Sequence, residues 1–384
     1  MTMKSFVLAM AVSVLAWAAA FGDEPAAAGR DPSADALVNL LNSRASGSPL
    51  LYAKAAETVA EDARAGKILQ KYVLAVVSKE RNAPPAARLT DAQRKQYFDE
   101  TRDKIKVLAE KKSNSLAWYL LSLEKNDRRM LKRAAEGGNV QALNAWGTLE
   151  LTDAFAKSNA TSNEVERVMN RSFSCFKKAA AQKDANGLYN LGMCYMNGYG
   201  CEADPEKAYE CFETSAEMGH PESINNIGGM YRDGIVVERD LVVATRWFAK
   251  ASDLGNAYGQ LNYALALQRG EGVEKDVKAA AELLKAASAQ GNPEALNAYG
   301  MCFFNGMGVE RDEKRAIACF RQSAARGFPP AMDNMADCYD RGAGGLEKSH
   351  SKSMVWKVRS RAMRGDRNAA IWLKQNGHSL LEDE

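Results

Sequence analysis

From residue 186 onward the apolar positions keep one rhythm. Within "DPEKAYECFETSAEMG" (204–219), Ala208, Phe212, Ser215 and Ala216 fall at i, i+4, i+7 and i+8, the spacing of a single buried helical stripe with charged residues between. The stripe returns as Ala244 and Phe248, Ala280 and Leu284, then Ala316 and Phe320, 36 residues apart each time. Ahead of each stripe a second helical pattern carries Gly192, Gly228, Ala264, Gly300 or Ala336 at the same interval. Five residues before each of these stands another small residue: Gly187, Ser223, Gly259, Ala295 or Ala331. A size limit of that kind predicts a second helix pressed against the first.

Punctuation holds the same period. Gly198, Gly234, Gly270, Gly306 and Gly342 close the first helix, where a left-handed residue ends it at least cost. Asp204, Asp240, Asp276 and Asp312 precede the second helix and can accept from its free amides, with Pro205 fitting the first helical position. Gly219, Gly255, Gly291 and Gly327 follow it. Each unit is therefore a helix of about a dozen residues, a glycine loop and a second such helix. One hairpin cannot bury both faces alone, so the fold class is all-α: stacked antiparallel hairpins forming an α-solenoid with a 36-residue period.

The frame is strong over 139–366 and weaker outside it. Gly147 and Gly192 are 45 apart, so "TDAFAKSNATSN" is expected to lengthen one interhelical loop by nine residues, with Thr161 and Glu164 as a capping box for the next helix. "AGGLEKSHSKS" (343–353) inserts two residues and loses the Asp. Residues 34–138 read as degenerate hairpins: Lys54, Ala55, Val59, Ala63 and Gly66 hold one copy of the register, and Leu131, Ala134, Ala135 and Gly138 another. Residues 367–384 read as a capping helix and acidic tail, because Lys374 stands where the frame needs Gly or Ala.

Ahead of the frame, Lys4, the apolar run "SFVLAMAVSVLAWAAA" and small residues make 1–22 an export leader, followed by a flexible lead-in over 23–33. The expected location is thus exported, periplasmic or secreted, with no stable membrane insertion after cleavage. A net charge of +3 gives no global field for nucleic acid. Three histidines among 384 residues leave little for acid–base or metal chemistry, and no triad, phosphate loop or carboxylate pair stands out. No catalytic residue, metal or cofactor is expected. "NAT" at 159–161 fits a glycosylation acceptor, usable only in a eukaryotic secretory host.

Two residue sets remain as candidates. Cys194/Cys211 and Cys302/Cys319 are both 17 apart at identical frame positions, and the intervening repeats have neither member. That fits helix-to-helix disulfides, which an exported chain permits. Cys175 and Cys338 hold one column without its partner and favour the alternative, small apolar filler. Asparagines form the second set: Asn190, Asn226, Asn262 and Asn334 share one column, and Asn144 and Asn297 sit one place earlier. They either grip a bound peptide or bond the adjacent repeat. A basic run, Lys348 to Lys374, is either a docking face for an acidic partner or a solvated terminal face.

"NGLYNLGMCYMNGYGCEADPEKAYECFETSAEMG" (186–219) and "EALNAYGMCFFNGMGVERDEKRAIACFRQSAARG" (294–327) resemble Sel-1-like repeats, a branch of the tetratricopeptide-like solenoids, over 139–377. The resemblance implies a right-handed solenoid that scaffolds contact with a protein or peptide partner, bound along a concave face lined by the first helices. The competing implication is an envelope enzyme or small-ligand binder acting on β-lactam or peptidoglycan fragments, as in some cysteine-rich relatives. Those relatives space their paired cysteines about eight apart, unlike the 17 here.

Overall fold

The computed structural model describes residues 72, 73, 75, 88–111, 115–156 and 161–381. The leader, the lead-in and the register copy at Lys54–Gly66 lie outside the described residues. The described residues form sixteen α-helices and no strand. Two compact units divide the chain: residues up to 227 with 235–237, and 228–234 with 238–384.

In the first unit, α1 (Asp91–Lys111), α2 (Ser115–Lys125), α3 (Arg128–Glu136), α4 (Val140–Ala156), α5 (Ser162–Ala181), α6 (Ala185–Asn197) and α7 (Pro205–Glu217) each pack on the next. Helix α8 (Pro221–Asp233) spans the boundary. In the second unit the same succession runs through α9 (Leu241–Asp253), α10 (Ala257–Arg269), α11 (Val277–Ala289), α12 (Pro293–Asn305), α13 (Glu313–Ala324), α14 (Pro329–Arg341), α15 (His350–Met363) and α16 (Arg367–Gln375). First helices of successive repeats also touch, α4 with α6 and α10 with α12. The chain is an α-solenoid.

Each column of the frame has its expected part. Gly198, Gly234, Gly270, Gly306 and Gly342 all sit in the left-handed region, with φ of 70–72°. The Asp204 and Asp312 carboxylates accept from the third amide of their helices, and those of Asp240 and Asp276 from the second and third. Where the aspartate is lost, Ser349 caps α15 instead, accepting from the Lys352 amide at 3.3 Å.

The first-helix glycines exist to seat phenylalanines. A Cβ on Gly192 would lie 2.7 Å from the Phe212 ring; Gly228 meets Phe248 and Gly147 meets Phe176 at the same distance, and Gly300 meets Phe320 at 2.6 Å. Where the ring becomes Leu284, the glycine becomes Ala264, and both are fully buried in one cluster. The small residues five places earlier face the preceding repeat: a Cβ on Gly187 would approach Ala179 Cβ at 2.7 Å, and one on Gly259 would approach Ala251 Cβ at 2.6 Å.

A further glycine column packs a loop onto backbone. At Gly308 (φ 74°) an added Cβ would overlap the Val277 carbonyl oxygen in α11, the preceding repeat's second helix. Gly200 stands against Met169 and Gly272 against Leu241 in the same manner. Val236 occupies this column with φ 67°, a left-handed β-branched residue in an exposed stretch.

One expectation is corrected. The extra residues between Gly147 and Gly192 do not make a long loop; they lengthen the helices, to 17 residues in α4 and 20 in α5 against 13 in α6. Only 157–161 separates the two. Asp153 stands where the frame would put a stopping glycine, so nothing turns the chain left-handed and the helix runs on. Ion pairs of Asp153 with Arg128 and of Glu150 with Arg171 hold the extension. The capping box forms as expected between Thr161 and Glu164.

Candidate interaction face

The two asparagine registers turn out to be two halves of one contact. Asn190 Nδ2 donates to Asn144 Oδ1 (3.3 Å), and Asn334 Nδ2 donates to Asn297 Oδ1 (2.7 Å). In each pair the later column reaches back to the shifted position in the preceding repeat. Asn144 is only 1% exposed, and its own amide donates to Asp184 Oδ1 at 2.7 Å. That oxygen also accepts from the Gly187 amide, so α4 is wired into the cap of α6. Burial pushes the Asp184 carboxyl up, and the Gly187 amide and Asn144 side chain pull it back. Asn226 is half-buried, its amide 3.6 Å from the Met193 sulfur. Asn262 lines a small cavity of about 40 Å³ with Arg232, Phe248 and Arg269.

All seven cysteines are free thiols. Cys194 and Cys211 share one hydrophobic cluster with Leu151, Phe176 and Leu191. Burial, then the neighbouring Cys201, pushes the Cys194 thiol up to about 12, and burial takes Cys211 to about 11. Cys302, fully buried, accepts from Gln268 Nε2 at 3.1 Å; burial raises both it and Cys319. Thiols held protonated in this way are weak nucleophiles.

Sequence reasoning passed over a third periodic column. Asp184, His220, Asn256 and Asn292 stand 36 apart just before the first helices. Three cap with an oxygen; His220 caps with a ring nitrogen, as Ser223 N–H points at Nδ1 (3.3 Å) while Nε2 meets Asn186 Oδ1 (3.1 Å). That arrangement requires the neutral ring with its proton on Nε2. Burial pushes His220 down to about 3 and Glu222, whose Oε2 is 3.5 Å from Nδ1, up to about 8. Tyr189 stacks on the imidazole with centroids 4.9 Å apart. The signal was available: a period shared with three residues of the two known cap types Asp and Asn.

Among the described residues no group of three His, Cys, Asp or Glu side chains is placed to hold a metal, and no helix is long and apolar enough to cross a membrane. Six successive segments, 160–184, 185–220, 221–256, 257–292, 293–328 and 329–356, match the Sel1 repeat, together just over half of the 384 residues. A crystal structure of a Sel1 repeat protein from Oxalobacter formigenes is similar in fold, with a TM-score of 0.51 and 23% identity over 69% of this chain and 96% of that one. A protective antigen of uropathogenic Escherichia coli strains, displaying an SLR fold, aligns at 24% identity and a TM-score of 0.49 over 83% of this chain and 67% of that one. No curated protein matches. With six repeats in unbroken succession, the chain belongs to the Sel1 repeat family.

Proposed function

We propose that this chain is an exported, non-enzymatic scaffold that holds a protein or peptide partner in the periplasm or outside the cell. The observation that carries the reading is the unbroken Sel1 array itself, since repeats of this family typically mediate protein interactions. A repeat array offers a long, regular surface rather than an enclosed reaction site. The apolar leader-like run after Lys4 supports export. Asn144, Asn190, Asn297 and Asn334 are engaged in bonds between repeats and Asn226 donates to the Met193 sulfur of the preceding repeat, so a peptide grip by the whole column is not part of the proposal. The candidate Cys194–Cys211 and Cys302–Cys319 disulfides remain open to oxidation after export, and peptide mapping without reductant reads them directly.

The test places a photo-crosslinking amino acid at Asn226 on a first helix and at Glu217 on a second helix, in cells expressing the full chain. A discrete adduct from Asn226 and none from Glu217 is the expected outcome. Absence of any adduct, together with turnover of nitrocefin or muropeptides by the purified protein, would replace the scaffold with the small-ligand alternative. Fusion of residues 1–33 to a reporter active only outside the cytoplasm reads the export half separately; an inactive fusion sinks it.

A further inference from the structure

The last repeat carries a cavity that no frame column requires. It encloses about 200 Å³ between α14, α15 and the segment after α16, lined by Tyr339, Lys352, Val355, Trp356, Arg359 and His378. Its two cations are seated on its two large rings. Lys352 Nζ lies 5.7 Å from the Tyr339 ring centroid, and Arg359 Cζ lies 4.7 Å from that of Trp356. Arg359 is 3% exposed, and its Nε donates to the Ser379 carbonyl at 2.9 Å, which fixes the guanidinium at the wall. The indole of Trp356 is 4% exposed, so both ring and cation are held before any ligand arrives.

Charge around the cavity is unevenly neutralised. Lys357, Arg361 and Arg364 are taken by Asp340, Asp366 and Asp333 at 2.6–2.8 Å. Asp340, adjoining Tyr339, is thereby turned to Lys357, which holds its carboxyl down at about 2. Lys352 has no carboxylate within ion-pair distance among the described residues, and its side chain is exposed. An ammonium beside apolar ring surface selects for an anion that brings apolar atoms with it.

We infer that this cavity is the docking point for a carboxylate-bearing segment of a partner protein, an Asp or Glu side chain flanked by an apolar residue, with Lys352 taking the charge and Tyr339 and Trp356 the apolar flank. The volume suits one such side chain and not a folded element. This inference deepens the scaffold reading and rests on it, yet the two fail separately: crosslinking at Asn226 can succeed while the cavity stays empty.

The experiment uses the full mature chain labelled with 15N, in which five Trp indoles remain once Trp17 leaves with the leader. The Trp356 signal is assigned through Trp356→Phe. The probe is acetyl-Gly-Asp-Leu-Glu-Gly-amide, against its twin with Asn and Gln in place of the acids. The expected result is a saturable shift of the Trp356 signal by the acidic peptide alone. Lys352→Glu weakens it at least about fivefold, whereas Lys374→Glu, an equal charge change on α16 outside the cavity, alters it by less than about twofold. The inference is overturned if the twin peptide or inorganic phosphate alone reproduces the shift, if Lys374→Glu weakens binding as much as Lys352→Glu, or if no peptide moves the signal.

Discussion

Two glycines in one loop, Gly306 and Gly308, share a left-handed backbone but differ in what surrounds them. At Gly306 (φ 70°) a new Cβ would stand 3.5 Å from Arg311 Cβ, an ordinary contact. At Gly308 (φ 74°) it would overlap the Val277 carbonyl oxygen and stand 2.7 Å from the carbonyl carbon. Gly306→Ala therefore meets only the left-handed penalty of about 1–2 kcal/mol, offset by about 0.4–1 kcal/mol from a less disordered unfolded chain. Its net cost should be near 1 kcal/mol. Gly308→Ala adds displacement of the first turn of α11, of the order of 1–3 kcal/mol for overpacking, for a total near 3 kcal/mol. Gly219→Ala, at φ 85° with nothing within 4 Å, supplies the backbone-only baseline. Because repeat arrays depart from two-state unfolding, the loss is best read by native-state hydrogen exchange of amides in α11 and α13. Gly308→Ala should lower protection in both helices, and Gly306→Ala chiefly in α13. Equal losses from the two substitutions would show that the loop does not bear on the preceding repeat, and the reasoning would fail.

Other expectations follow from the same packing. Leu284→Phe should destabilise by about 1–3 kcal/mol against Ala264, and Ala264→Gly should restore most of the loss; thermal melts of the two single variants and the double variant check this, and no rescue would refute the seat. Asn297→Ala and Asn334→Ala should show a coupling of about 0.5–1 kcal/mol in a double-mutant cycle, while Asn144→Ala should cost more because it strands buried Asp184; strict additivity would deny the inter-repeat bond. For His220, the folded value near 3 lies below the ordinary 6.5, so its contribution is present above 6.5 and is lost as pH falls toward 3. For Glu222, near 8 against 4.5, the contribution is present below 4.5 and is lost as pH rises toward 8. Their slopes, about 1.4 kcal/mol per pH unit each, cancel between, leaving a plateau over 4.5–6.5. His220→Asn should remove the acid limb and Glu222→Gln the alkaline one in denaturant titrations across pH; limbs unmoved by either substitution would sink the assignment.

The repeat frame was legible because it is written in residues with one physical task each. A glycine that must be left-handed and an aspartate that must cap cannot be exchanged freely, so Gly198, Asp204 and their equivalents hold their period in the bare sequence. The lengthening of α4 and α5 was not legible as such, since the sequence shows extra residues but not whether they coil or loop; the missing glycine at Asp153 was the clue. The asparagine registers looked like drift in one column. Their complementarity needs two adjacent repeats in space, which no single repeat displays. His220 was hidden by its chemistry, as histidine is an unusual cap and only burial makes its neutral form secure.

The loop contact at Gly200, Gly272 and Gly308 has a consequence for how such a chain can grow or shrink. What each glycine meets is a peptide carbonyl, at Met169, Leu241 and Val277, and a carbonyl is the same group whatever side chain follows it. Neighbouring units are thus fitted by a coupling blind to amino-acid identity, like a screw thread that accepts any nut of its pitch. Excision of 257–292, a full 36-residue turn of the thread, would bring Gly308 onto the Leu241 carbonyl with the fit preserved. Any cut out of phase would set a side chain against that oxygen. Units are therefore free to be duplicated, dropped or resurfaced as whole cassettes, while their length is not free to change.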